Sequence, residues 1–105
     1  MTRTRATVMA VAAAAMAATL VPAPAGADPG RNLAAACANC HGTNGHSLGG
    51  IPSLAGQNKA TMLTQLREFR DGKRSATIMH QIAKGYSDAQ FDLMSEYFSR
   101  QPVTR

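Results

Sequence analysis

Cysteine is scarce in this chain. Of 105 residues only two are cysteines, Cys37 and Cys40, and they stand three positions apart. No thiol remains for a disulfide elsewhere, which excludes the cystine framework of many small exported domains. No segment alternates apolar and polar residues as a half-buried strand does, and no internal repeat recurs, so helices are the expected building material. The glycine-rich fingerprint of a dinucleotide site is also missing, so a nucleotide cofactor would have to belong to another chain.

Charge is absent from Ala6 to Val21, an apolar stretch interrupted only by Thr7 and Thr19 and preceded by Met-Thr-Arg-Thr-Arg. That core is shorter than the roughly 20 residues a membrane span needs, and it leads to Ala25-Gly26-Ala27, a small-x-small pattern of the kind signal peptidase accepts. The expectation is a signal peptide over residues 1–27, cleaved after Ala27, and export to the periplasm. The alternative is an uncleaved anchor at the N-terminus. Residues 28–105 then form a single domain carrying nine Lys+Arg against six Asp+Glu, a net charge of +3. So small an excess argues against nucleic-acid binding, and Arg67, Glu68, Arg70 and Asp71 read as solvated helix faces.

What the chain does have is Cys37-Ala38-Asn39-Cys40-His41. Two thiols on one side of a helical turn can reach the two vinyl groups along one porphyrin edge and become thioethers. The adjoining histidine is then placed under the iron by covalent geometry. The pattern points to a covalently bound haem c, with Cys37 and Cys40 as attachments and His41 as proximal ligand. Three other chemistries compete. A thioredoxin-type pair needs a strand-helix-strand context and no histidine. A Cys37–Cys40 disulfide would close too short a loop to constrain much of the unfolded chain. A zinc site could recruit Cys37, Cys40, His41 and His46 but lacks the second pair of a zinc finger. Haem would also supply the staple that a domain of this size needs.

The remaining punctuation is helical. Asp28 is a plausible N-cap with Pro29 at the first helical position, and the helix runs through Leu33 and the alanines at 34 to 36 into the motif. A Gly, Asn, Ser and Pro loop follows from Gly42 to Gly56. Gln57 or Asn58 opens a second helix whose Met62, Leu66 and Phe69 share one face, and Gly72 ends it. A short third helix holds Ile78, Met79, Ile82 and Ala83. Ser87 with Gln90 is a capping box for a last helix that buries Phe91, Met94, Tyr97 and Phe98 and ends before Pro102.

A sixth iron ligand would close the haem to substrates. Met62 and Met94 lie within apolar helical stripes and read as core, and His46 in a glycine-rich loop reads as exposed. Met79 stands 38 residues after His41, leaving a loop and a whole helix to carry the chain round to the far face. It is the leading candidate, with His80 and Met62 as alternatives and a core role beside Ile78 and Ile82 as the other reading. Methionine as partner to histidine raises the reduction potential relative to two histidines.

Through Cys37 to Gly42, Ile51-Pro52-Ser53-Leu54-Ala55-Gly56-Gln57 and the methionine of the third helix, the chain resembles the class I cytochromes c. The fold implied is all-α, about four short helices packed around one covalently bound haem. More narrowly, His41-Gly42-Thr43-Asn44-Gly45, Thr77-Ile78-Met79 and Ile82 to Asp88 resemble the cytochrome subunit of flavocytochrome c sulfide dehydrogenase. That resemblance implies Cys37 and Cys40 as thioether attachments, His41 and Met79 as proximal and distal ligands, and a Pro52 carbonyl that orients His41. It also implies an FAD-containing flavoprotein partner that oxidises sulfide, the chain itself being the haem subunit and not a catalyst. Some members carry two fused haem domains, whereas this chain has one motif. The alternative is a diffusible carrier of similar ancestry, and a more distant one is a haem-free dithiol or zinc-binding module. In either haem reading Leu48, Ile51 and Ala55 are expected around the haem edge.

Overall fold

The computed structural model describes residues 7–22 and 28–105. Residues 7–22 carry no regular secondary structure, and their apolar side chains are exposed. No helix among the described residues is long and apolar enough to cross a membrane. The expected cleavage position after Ala27 lies outside the described residues.

The folded part is helical, with no strand among the described residues. Asp28 opens it: the Arg31 N–H donates to its carboxylate at 3.2 Å, and Pro29 occupies the first helical turn, where its missing N–H costs nothing. Helix α1 (Pro29–Ala34) passes through a 3-10 turn (Ala35–Cys37) into α2 (Ala38–His41), making one helical run. Gly42 stops that run at φ +84°, in a conformation where a Cβ would collide with the His46 carbonyl. Asn58 caps α3 (Lys59–Arg70) by accepting from the Thr61 N–H at 3.0 Å. Helix α4 (Met79–Ala83) is a short turn and α5 (Asp88–Ser99) begins at the capping box: Gln90 N–H to Ser87 Oγ, 3.2 Å, and Ser87 N–H to Gln90 Oε1, 2.9 Å.

Helix α5 is the hub. It packs against α1 on one side and α3 on the other, and α3 in turn carries α4. Two apolar clusters result. Ala34, Met62, Tyr97 and Phe98 form one; Ala83, Phe91 and Met94 form the other, with Leu33, Leu63, Phe69 and Tyr86 packed partly against it. Cys37 and Leu66 touch both. Helices α1 and α5 approach most closely at Gly30, where a Cβ would stand 2.5 Å from the Leu93 carbonyl oxygen.

Two expectations change. Ile78 and Ile82 are not core residues beside Met79; they are 53% and 40% exposed. Arg67, Glu68 and Arg70 are not simply solvated. Arg70 donates to Asp88 at 2.9 Å with Arg67 beside it at 3.4 Å, and Arg74 pairs with Glu68 at 2.9 Å. The Arg70 guanidinium holds the Asp88 carboxylate below its ordinary range. These pairs remain partly solvated, so each adds little stability; those to Asp88 join α3 to α5, and Arg74–Glu68 ties the turn after α3 back to that helix.

Gly30→Ala should destabilise the folded protein by about 1–3 kcal/mol, because the added methyl must push α1 off α5. Gly50→Ala, where a Cβ meets nothing, should leave the urea midpoint unchanged. Equal midpoints for both variants would show that the two helices are not in close contact.

Candidate functional site

The motif occupies the last turn of the first helical run, so local helix geometry alone brings Cys37, Cys40 and His41 together. Cys37 is half-buried between the two apolar clusters, Cys40 is exposed, and both are free thiols. Burial pushes the Cys37 thiol up from its ordinary pKa, outweighing a backbone hydrogen bond that pulls the other way. Burial of this kind marks an inert thiol, which weighs against a dithiol redox pair. Zinc is disfavoured by the position of His46. Its ring is turned to carbonyl oxygens, Thr43 O at 3.2 Å from Nδ1 and Pro102 O at 2.7 Å from Nε2. Among the described residues no group of three or more His, Cys, Asp or Glu side chains is arranged to hold a metal ion.

His41 is fixed differently. Its Nδ1–H donates to the Pro52 carbonyl at 2.6 Å. That bond selects the tautomer with the lone pair on Nε2, and Nε2 makes no hydrogen bond among the described residues. The residue that follows Pro52 is itself held twice. The Ser47 N–H donates to Ser53 Oγ at 3.0 Å and Gln57 Nε2 donates to the Ser53 carbonyl at 2.6 Å. The Leu54 and Ala55 N–H groups both reach the Gly45 carbonyl, at 2.8 and 3.2 Å. At the start of the same loop Asn44 takes a left-handed conformation, φ +54°, and accepts a 2.5 Å hydrogen bond from the Tyr97 hydroxyl of α5.

The methionines separate by burial. Met62 and Met94 are 4% and 3% exposed within the clusters, whereas Met79, the first residue of α4, is half-buried and belongs to neither. His80 beside it is half-buried, with Nδ1 enclosed and without a hydrogen-bond partner among the described residues. Of the loop residues expected at a haem edge, Leu48 and Ile51 are exposed, 85% and 45%, but Ala55 is buried at 7%. Ala55 packs inward because the two amides on the Gly45 carbonyl fold that end of the loop against the domain. His46, read from sequence as an exposed loop histidine, is half-buried. Sequence spacing carries no signal for its carbonyl partners.

The residues present fit a haem. A free imidazole lone pair, an accessible thiol at Cys40 and uncovered apolar side chains at Ile51, next to Pro52, and at Ile78, next to Met79, are what a large apolar iron-bearing plate would cover.

Residues 27–101 match the family model described as cytochrome c. The chain is similar to a cytochrome subunit of sulfide dehydrogenase from Chlorobaculum tepidum, 42% identical over 66% of this chain and 63% of that protein. It is also similar to cytochrome c-554(548) from Halomonas halodenitrificans, 34% identical over 69% of this chain and 92% of that one. A solved cytochrome c4 from Acidithiobacillus ferrooxidans superimposes with a TM-score of 0.66 at 37% identity, covering 71% of this chain and 49% of that chain. The chain thus spans less than two thirds of the sulfide dehydrogenase subunit and about half of the cytochrome c4.

Tyr97→Phe should cost about 0.5–1.5 kcal/mol by removing the hydroxyl that ties α5 to Asn44. Asn44→Gly keeps the left-handed turn and removes the acceptor. The two losses should not add in a double-mutant cycle read by urea denaturation, and additive losses would mean that the bond contributes nothing.

Proposed function

The chain belongs to the cytochrome c family, and from that premise we propose that it is a periplasmic electron-transfer protein carrying one covalently bound haem c. Residues 1–27 serve as the export signal, and 28–105 are the working domain. Cys37 and Cys40 hold the porphyrin as thioethers, His41 Nε2 is the proximal ligand and Met79 the distal one. Bound there, the haem supplies reversible one-electron storage, and His/Met ligation leaves no open iron position for a substrate. The observation that carries this reading is the hydrogen bond from His41 Nδ1–H to the Pro52 carbonyl, which aims Nε2 and makes it more basic. Met79 is favoured over Met62 and Met94 because those two are spent on the core.

The partner in this reading is an FAD-containing flavoprotein, with the chain as the haem subunit of a sulfide-oxidising complex. The likeness to the Chlorobaculum subunit supports it, together with the motifs from Thr77 to Asp88. Sulfide oxidation releases electrons in pairs and one haem takes one at a time, so a flavin is the kind of cofactor that must precede it. From Gly42 to Asn58 and from Ser75 to Ala83 there is no Asp, Glu, Lys or Arg. A partner docked on the loop and α4 would therefore meet apolar and neutral surface, with Leu48 and Ile51 foremost. A second reading, a diffusible carrier, is supported by the Halomonas cytochrome c-554(548), 92% of which aligns with this chain.

The visible spectrum tests attachment and ligation together. The denatured protein should keep its colour through acid-acetone extraction, and the oxidised native protein should show the weak long-wavelength band of sulfur-ligated ferric iron. Met79→Ala should abolish the band. Met62→Ala and Met94→Ala should keep it while losing about 2–5 kcal/mol of stability to the cavity each leaves. A band that survives Met79→Ala would sink the assignment.

The partner is tested by co-purification and stopped-flow reduction. Sulfide should reduce the haem rapidly in a two-chain complex and much more slowly in the isolated chain, and salt should weaken the complex only modestly. Rapid exchange with several unrelated redox proteins, and no co-purifying flavoprotein, would establish the carrier.

A further inference from the structure

His46 joins two segments far apart in the chain. Its Nε2 stands 2.7 Å from the Pro102 carbonyl, 56 positions away, and Arg105 Nη2 donates back to the His46 carbonyl at 3.1 Å. A neutral imidazole has one N–H, and the shorter approach assigns it to Nε2. The tail it grips is otherwise lightly held: Pro102, Val103 and Arg105 are exposed. The other seam between this loop and the C-terminal segment is at Gly56, whose N–H donates to the Phe98 carbonyl at 2.9 Å and whose open face takes the Val103 side chain. The acceptor of the His41 hydrogen bond, Pro52, lies between these two seams. The link to it is short, since the residue after His46 is Ser47, whose N–H holds Ser53, the residue after Pro52.

We propose that His46 is a positioning residue for the proximal imidazole: with the C-terminal tail it forms a clasp that holds the Pro52 carbonyl on His41 Nδ1 and so sets the electron richness of the ligand. This rests on His41 being the proximal ligand. Opening the clasp lets the loop from Ser47 to Ser53 relax and lengthens the His41–Pro52 hydrogen bond. The imidazole then donates less to the iron, ferric iron is less well stabilised, and the reduction potential rises.

The test uses the holoprotein with four changes: His46→Ala, His46→Gln, a chain ending at Gln101, and His46→Ala in that shortened chain. Three quantities are read: reduction potential, exchange of the His41 Nδ1 proton, and exchange of the Ser47 and Leu54 amides. His46→Ala should raise the potential and the shortened chain should raise it at least as much, since it also loses the Arg105 and Val103 contacts, and each should speed exchange of the His41 Nδ1 proton at least tenfold. Adding His46→Ala to the shortened chain should change nothing further, because that chain already lacks the Pro102 carbonyl that the imidazole reaches. His46→Gln, which can still reach Pro102 with an N–H, should restore most of the wild-type values.

Faster Ser47 and Leu54 exchange with an unmoved potential and an unmoved His41 proton would reduce His46 to a structural residue and overturn the proposal. Additive shifts, or no change in any readout, would overturn it as well. Lack of covalent haem would overturn the haem reading instead. The Ser47 and Leu54 amides would then still report the clasp, unchanged exchange in His46→Ala refuting it and faster exchange supporting it.

Discussion

The 2.6 Å hydrogen bond between His41 Nδ1 and the Pro52 carbonyl constrains more of this molecule than its one contact suggests. It requires the first helical run to end at His41 so that the imidazole projects from the last turn, and Gly42, with positive φ, provides that end. It requires the next eleven residues to turn back on themselves. The bonds that make them do so converge on the Gly45 carbonyl and on the backbone and side chain of Ser53. It also requires the loop to be anchored to something that does not move, and the anchor is α5, through Tyr97 to Asn44 and through the Phe98 carbonyl to Gly56. One imidazole is thus oriented by contacts drawn from the first helical run, the loop and the last helix.

Packing alone leaves little in reserve for such precision. The buried apolar side chains of the described residues are Ala34, Ala55, Met62, Ala83, Phe91, Met94, Tyr97 and Phe98. Three of these eight are alanines, so large side chains must share the work, and the two clusters communicate through Cys37 and Leu66. A domain this small ordinarily needs a staple. Placing one haem attachment at Cys37, the residue that touches both clusters, would tie the prosthetic group to the core itself and not only to its edge. The raised pKa of the Cys37 thiol fits the same position, since the burial that disfavours the thiolate is the burial that would shelter a thioether.

Features written in consecutive residues were legible in the sequence, and features written across the fold were not. Asp28 with Pro29, Asn58, and Ser87 with Gln90 act within one turn of where they stand, and each cap is present with the bonds its residue type provides. The apolar face of α5 follows from helical spacing in the same way. The Tyr97–Asn44 and His46–Pro102 bonds join residues 53 and 56 apart and have no local signature. The same limit explains Ala55, which a loop composition places at the surface but which hydrogen bonds to Gly45 fold inward. It explains Ile78 and Ile82 as well: their spacing suits a core face, but α4 is a single short turn resting on α3, and no described residue covers its outer side. Pro52 is intermediate, since resemblance to a family pointed to its carbonyl and the hydrogen bond is there, whereas its service to an iron ligand belongs to the proposed function.

Charge is distributed in a way that bears on how such a protein would meet a partner. The acidic side chains are engaged by basic ones: Lys59 with Asp92 and Glu96, Arg67 and Arg70 with Asp88, Arg74 with Glu68, Arg70 with Asp71, and Arg100 with Asp28. These pairs lie on or beside α1, α3 and α5, the helices that pack together. The loop from Gly42 to Asn58 and the segment from Ser75 to Ala83, which carry Pro52 and Met79, have no formal charge apart from any on their histidines. Pairing on one set of elements therefore leaves the other free of the strongly hydrated groups whose desolvation makes a charged interface costly. A partner selected by that surface would be selected by shape and by the fit of Leu48, Ile51, Ile78 and Ile82, the exposed apolar residues of these segments. Long-range attraction would contribute little, because at physiological salt the charges of the paired helices are screened over about 8 Å. Contact of this kind brings two surfaces together without fixing charged side chains between them, which suits an electron-transfer surface whether the complex lasts or dissociates after each electron.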